Sequence, residues 1–139
     1  VFTSMRLPAR ERGGEHSVTD IDMRTFAKGA GFNQAFEAGS LVFQRGEAGT
    51  CMYVVQSGIV EILIGDQIVE VCGPNEAIGF MSMIDGAPRS STARVRDAAE
   101  LSAIDQRRFR FMVDEVPNFA VYIMSAMARR IRGMGQSMG

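Results

Sequence analysis

A chain of 139 residues suits one domain, and with 46% hydrophobic and 22% charged residues it can bury a core without disulfides. Fifteen Lys and Arg against sixteen Asp and Glu leave a net charge of −1 and a pI near 5.9, so the basic excess of a nucleic-acid module is missing. No apolar run approaches the roughly 18 residues of a membrane span, and residues 1–20, with Glu11, Glu15 and Asp20, do not read as a signal peptide, so a cytoplasmic chain without membrane contact is expected.

Residues 1–17 read as a flexible tail: Pro8, Gly13, Gly14 and many charges, with no hydrophobic period, and His16 solvated among them. Residues 18–139 are expected to form one domain. Thr19 or Asp20 is a candidate cap for a short helix that contributes Ile21, Met23 and Phe26 and is closed by Gly29 and Gly31. From about 33 to 105 the character changes to short apolar runs rich in β-branched residues. Strands are predicted over Gln34–Glu37, Leu41–Gln44, Met52–Gln56, Ile59–Ile64, Gln67–Cys72, Thr92–Arg96 and Glu100–Asp105. Gly65-Asp66 between two of them fits a two-residue type II′ hairpin, and Ser57-Gly58 reads as another turn. Short strands at near-regular spacing predict a mainly β, antiparallel, jelly-roll-like β-roll.

Residues 79–89 interrupt the strands. Gly79–Met83 reads as the start of a short helix and Ile84–Pro88 as a tight loop. Helices are predicted over about 106–134: Arg107–Val113, then a second helix with Pro117 in its first turn, ended by Gly133 and Gly135. Val116, Ala120, Ile123, Met127, Ile131 and Met134 would form its apolar stripe, which suggests a homodimer through this helix or packing on the roll. Arg107, Arg108, Arg110, Arg129, Arg130 and Arg132 read as solvated helix faces rather than a nucleic-acid surface.

Cys51 and Cys72 lie inside apolar strand-like runs and read as reduced core thiols. With one His they make no metal set, and no Ser/His/Asp order or carboxylate pair presents itself. No catalytic residue, metal or cofactor is therefore expected, and the chain is expected not to be an enzyme. A cupin-type enzyme on a related β-roll would need a His and carboxylate set that one His cannot supply.

Two stretches carry more than strand-and-turn signals. Phe43 to Ile62 follows the order F-x-x-G-E-x-G-x-x-x-Y-x-V-x-x-G-x-V-E, and Gly73-Pro74-Asn75-Glu76 through Gly79, with Pro88-Arg89-Ser90-Ser91-Thr92 after it, follows G-P-G-D-x-x-G-E and P-R-S-A-T. Both resemble the cyclic-nucleotide-binding domain family, in register and without gaps, over about Asn33 to Arg132. Met127-Ala128-Arg129-Arg130-Ile131 is similar to the dimer helix of its catabolite-activator-type members. The resemblance implies a signalling domain that binds a cyclic nucleotide, most simply cyclic AMP, and repositions its C-terminal helix, without a DNA-binding domain.

It also implies roles. Arg89 would hold the phosphate by a planar fork of donors, with Ser90 and Ser91 beside it. Gly79 and Ser82 would offer backbone amides, with Phe80 and Met81 in the same cassette. Phe80 stands where the family places the Glu that holds the ribose 2′-hydroxyl. Either the site keeps only its phosphate contacts, or the ring fills the ribose site and the domain is a ligand-independent interaction module. Met134 falls where the family covers the base.

Overall fold

The computed structural model describes residues 22–138, with only the helical backbone over 134–138. The predicted tail, His16, and the candidate caps Thr19 and Asp20 lie outside the described residues, as does Ile21. The elements run α1 (Arg24–Ala30), β1 (Phe32–Phe36), β2 (Leu41–Phe43), β3 (Cys51–Ile64), β4 (Gln67–Cys72), β5 (Ala77–Ile78), α2 (Met81–Asp85), β6 (Thr92–Asp105), α3 (Gln106–Glu115) and α4 (Phe119–Met138). The strands form one six-stranded antiparallel sheet in the order β1-β6-β3-β4, with β2 also on β6 and β5 on β3. Helices stand at both ends, as the β-roll expectation requires.

The two long strands explain most of the architecture. Successive side chains of a strand point to opposite faces. Tyr53 and Val55 of β3 enter one apolar cluster with Phe43, Ile78, Val95 and Leu101, inside the roll. Met52 and Val54, which alternate with them in sequence, enter a second cluster with Met23, Phe80, Phe109, Phe119 and Tyr122, where the helices pack. Because both faces are covered, β3 reads as a nearly unbroken apolar run.

One predicted turn and one predicted gap between strands are neither. The sequence divided β3 at Ser57-Gly58 and β6 near Asp97–Ala99; both strands are continuous over 14 residues and irregular there instead. From Val55 to Val60 β3 takes five steps, while β6 takes six from its partner Leu101 to Val95. Five regular steps would put Val60 on the face opposite Val55; the irregularity turns β3 over, so Val60 and Ile62 fall into the same cluster as Tyr53 and Val55. Gly58 makes this geometry: its φ is +91°, and a Cβ there would lie 2.4 Å from the Ala98 carbonyl oxygen.

The turn at Pro74-Asn75 anchors helices from both ends of the chain. Asn75 takes φ +74°, its side-chain oxygen accepts the Met23 amide at the start of α1 (2.6 Å), and its carbonyl accepts the Tyr122 hydroxyl of α4 (2.6 Å). Burial pushes the Tyr122 hydroxyl well up, so it remains a neutral donor. At α3 the Asp105 carboxylate accepts the Arg108 amide at 2.8 Å, a side-chain cap.

The last helix differs from its prediction. It begins at Phe119, two residues after Pro117, and it runs through Gly133 and Gly135. A helical glycine costs about 1 kcal/mol relative to alanine, and packing against β4 overrides that. Its buried face is Phe119, Tyr122, Ile123 and Ala126; of the predicted stripe Ile123 is buried, Val116 and Met127 pack partly against the same cluster, Ala120 and Ile131 are exposed, and the Met134 side chain lies outside those described.

Opposite the core, buried Glu61 on β3 accepts from Arg94 at 2.8 Å and Arg96 at 2.7 Å on β6. Those two guanidiniums hold its carboxyl below the usual carboxylate range. A depressed folded pKa contributes stability that is complete above the unfolded value of about 4.3 and disappears as pH falls through the lowered one. Glu61→Gln should therefore be less stable than the parent at pH 7, and the gap should close below about pH 4; urea denaturation across pH 7 to 2 measures it.

Candidate functional site

The two motif stretches meet in space. The loop after β2 pairs with the end of the cassette: the Gly46 amide donates to the Arg89 carbonyl (2.9 Å) and the Arg89 amide to the Glu47 carbonyl (2.8 Å). The Arg45 amide donates to the Thr92 hydroxyl at 3.0 Å, and the Glu47 carboxylate closes its own loop on the Gln44 amide at 3.0 Å. The Gly-Glu pair of the first motif thus fixes the backbone from which Arg89 projects.

Arg89 is only 6% exposed. Its Nη1 donates to the Gly79 carbonyl (2.8 Å) and its Nη2 to the Cys51 carbonyl (2.6 Å), while its guanidinium carbon lies 4.1 Å from the centre of the Phe43 ring. Among the described residues no carboxylate forms an ion pair with it, and its Nε is buried without a hydrogen-bond partner. A buried donor without an acceptor is uncommon in folded proteins, and a buried cation among neutral groups favours a nearby anion.

Around this group lies a hollow of about 230 Å³, its mouth included, lined by Phe43, Gly79, Met81, Ser82, Arg89, Ser90, Ser91 and Arg130. Ser82 and Ser91 are 4% exposed, and Ser90 is exposed. The structure therefore brings together six of the residues singled out in the sequence. The predicted helix start is corrected: Gly79 precedes the helix at φ +73°, and α2 runs from Met81 to Asp85 with Gly86 as its C-cap. Ile84 and Asp85 belong to that helix rather than to a loop.

Phe80 is the residue the structure moves out of the site. It is 1% exposed, packs in the helix-side cluster and does not line the hollow. The ring therefore does not occupy the hollow. The Met134 side chain lies outside those described. Sequence reasoning missed Phe43, Cys51 and Arg130. Phe43 was visible as the first residue of the motif, but its ring-to-cation role was not. Cys51 contributes a main-chain carbonyl, to which side-chain chemistry gives no clue. Arg130 was placed on a solvated face.

Among the described residues no group of three or more His, Cys, Asp or Glu is placed to hold a metal, and no helix is long and apolar enough to cross a membrane. Burial, then contact with the Cys51 thiol, keeps the Tyr53 hydroxyl protonated beside Arg89. Burial likewise raises the Cys72 thiol, leaving it unreactive.

Residues 33–116 match the family model of the cyclic nucleotide-binding domain. This chain belongs to that family. It is 28% identical over 102 residues to a CRP-like cAMP-activated global transcriptional regulator of Mycobacterium tuberculosis, covering 70% of this chain and 46% of that protein. It is 29% identical over 102 residues to the cyclic AMP receptor protein of Thermus thermophilus, covering 70% and 47%. The chain thus spans about half the length of these curated relatives. Among solved structures, the Thermus thermophilus catabolite activator protein superposes with a TM-score of 0.70 at 24% identity, over 88% of this chain and 62% of that one, a likeness of fold. The regulatory domain of Toxoplasma gondii PKA, solved with cAMP, gives 0.55 at 30% identity, over 59% and 33%.

Gly79 tests the geometry of the domain's cassette. A Cβ there would stand 2.7 Å from Arg89 Nη1 and 3.0 Å from Phe43 Cε2, at a φ that side chains avoid. Gly79→Ala should lower the stability of the parent by about 1–3 kcal/mol, read as a lower urea midpoint at unchanged slope.

Proposed function

We propose that this domain is a non-catalytic regulatory module that binds a cyclic nucleotide, cyclic AMP in the first place, and passes occupancy to α4. The observation that carries the reading is Arg89, a buried cation with neutral partners and an unpaired Nε inside a serine-lined hollow. A cyclic phosphate brings one negative charge and two unesterified oxygens. Those match one guanidinium edge and neighbouring hydroxyls, since charge-assisted bonds of this kind are the strong ones.

The choice of cyclic AMP is supported by the names of the relatives, which are cAMP-activated regulators, a cyclic AMP receptor and a regulatory domain solved with cAMP. The blocked-site alternative loses its physical basis, because the Phe80 ring sits in the core. A route to α4 exists in Arg130, which belongs to that helix and lines the hollow.

Calorimetric titration with cyclic AMP and cyclic GMP tests the reading. The parent should bind cyclic AMP, and Arg89→Ala should lose at least about 30-fold in affinity, the loss of a charge-assisted pair. Equal affinity in a folded Arg89→Ala protein, or no binding by the parent, would refute the assignment.

We further propose that α4 mediates self-association through the apolar side chains it turns outward, Met124 and Ile131, which are 52% and 67% exposed. Sedimentation should show a dimer that Met124→Glu with Ile131→Glu converts to a monomer; a parent that stays monomeric at high concentration contradicts it.

A further inference from the structure

Helix α3 is charged against its own dipole. Carboxylates stabilise the N-terminus of a helix and cations its C-terminus. α3 has no acidic residue in its first turn and no basic residue in its last. Arg107, Arg108 and Arg110 occupy its first half instead, and Asp114 and Glu115 close it. Only the cap, Asp105, has the favoured sign, and it pairs with Arg108 at 3.0 Å, while the Arg108 guanidinium carbon also lies 5.6 Å from the centre of the Phe32 ring. Among the described residues Arg107, Arg110, Asp114 and Glu115 form no ion pair.

Arg107, Phe111 and Glu115 stand four residues apart, so they form one row along the helix. All three are exposed, the Phe111 ring side of the row to 61%. Phe111 is the midpoint, with a charge about 6 Å along the axis on either side. The two charges, about 12 Å apart along the axis, are too distant to pair within one chain. A two-fold axis at Phe111 exchanges them. Two antiparallel copies therefore lay the row on its own image, Phe111 on Phe111 and each Arg107 on the other copy's Glu115. Rows of this spacing run along one another when helices cross at about 50°, the commonest packing class. The same arrangement brings carboxylates to the N-terminal end of each α3 and cations to its C-terminal end, which removes the conflict with the dipole.

We propose that α3 is a self-complementary docking surface for a second copy of this chain, with Phe111 at the two-fold axis and two Arg107–Glu115 pairs across it. It is separate from α4 and needs no ligand. One helix row on each side belongs to the class of contacts below roughly 1,200 Å², so the association is weak, with a dissociation constant of about 0.1–1 mM. At about 10 μM it is largely open, and α4 alone decides the oligomeric state.

Sedimentation equilibrium of the chain carrying Met124→Glu and Ile131→Glu separates this contact from α4. In low salt, at concentrations up to about 1 mM, it should form a dimer that about 0.5 M NaCl weakens several-fold, because exposed charges are screened. On that background Arg107→Glu alone, or Glu115→Arg alone, should weaken self-association at least about tenfold, since two attractive pairs become two repulsive ones. The two single variants, mixed, should associate as tightly as the unreversed chain, because each supplies the charge the other lacks. The double reversal in one chain should also recover association. Each single reversal gives α3 a charge its dipole favours, so neither should lower the thermal unfolding midpoint, and lost association then reports the contact rather than the fold. If the Met124→Glu and Ile131→Glu chain does not fold, the same series is read on the parent as the salt-sensitive part of its association. The proposal is overturned if the folded chain stays monomeric at about 1 mM in low salt, if association survives either single reversal, or if the mixed single variants fail to associate.

Discussion

The guanidinium of Arg89, buried among neutral partners, is the constraint on which this end of the molecule depends. Removing a cation from water is costly unless other groups replace its hydration. Here two main-chain carbonyls and an aromatic face do so, and each comes from a different element: Gly79 after β5, Cys51 at the start of β3, and Phe43 at the end of β2. The three elements must be in place together for the charge to be tolerated. The loop that pairs with the Arg89 backbone belongs to the same arrangement. What remains without a hydrogen-bond partner is the buried Nε.

The rest of the fold supplies rigidity behind that charge. The two apolar clusters lie on opposite faces of β3, so the strand that carries Cys51 is packed from both sides. Asn75 joins α1 and α4 to one turn, and the Glu70 pair with Arg130 fixes α4 to β4 farther along. The helix that borders the hollow is therefore held at two separated places, one by neutral hydrogen bonds and one by charge. Salt will weaken the second more than the first.

The parts legible in the sequence were those set by local chemistry. The Gly65-Asp66 hairpin, the span of β4 and the cassette residues around Arg89 follow from turn residues, alternation and motif spacing. The misread parts were those in which one local signal has two physical meanings. Gly58 marks a strand irregularity, but a glycine between apolar runs marks a turn equally well. In α4, apolar residues occupy more than one face, and only packing selects Phe119, Tyr122, Ile123 and Ala126 as the buried set. Arg130 carries no local sign of burial, because its partner Glu70 lies 60 residues earlier. Phe80 was legible as a departure from the motif, but the direction of its ring was not.

The irregular stretch of β3 also bears on how this chain can vary in length. Five steps separate Val55 from Val60, yet both enter one cluster, so β3 must leave regular alternation between them. Loss of one residue would leave four steps, which alternation satisfies unaided, so Val60 and Ile62 would stay inside and Glu61 would keep Arg94 and Arg96, and the left-handed backbone of Gly58 would no longer be required. The cost would fall on reach instead, because β6 takes six steps from Leu101 to Val95 against which four would have to stretch.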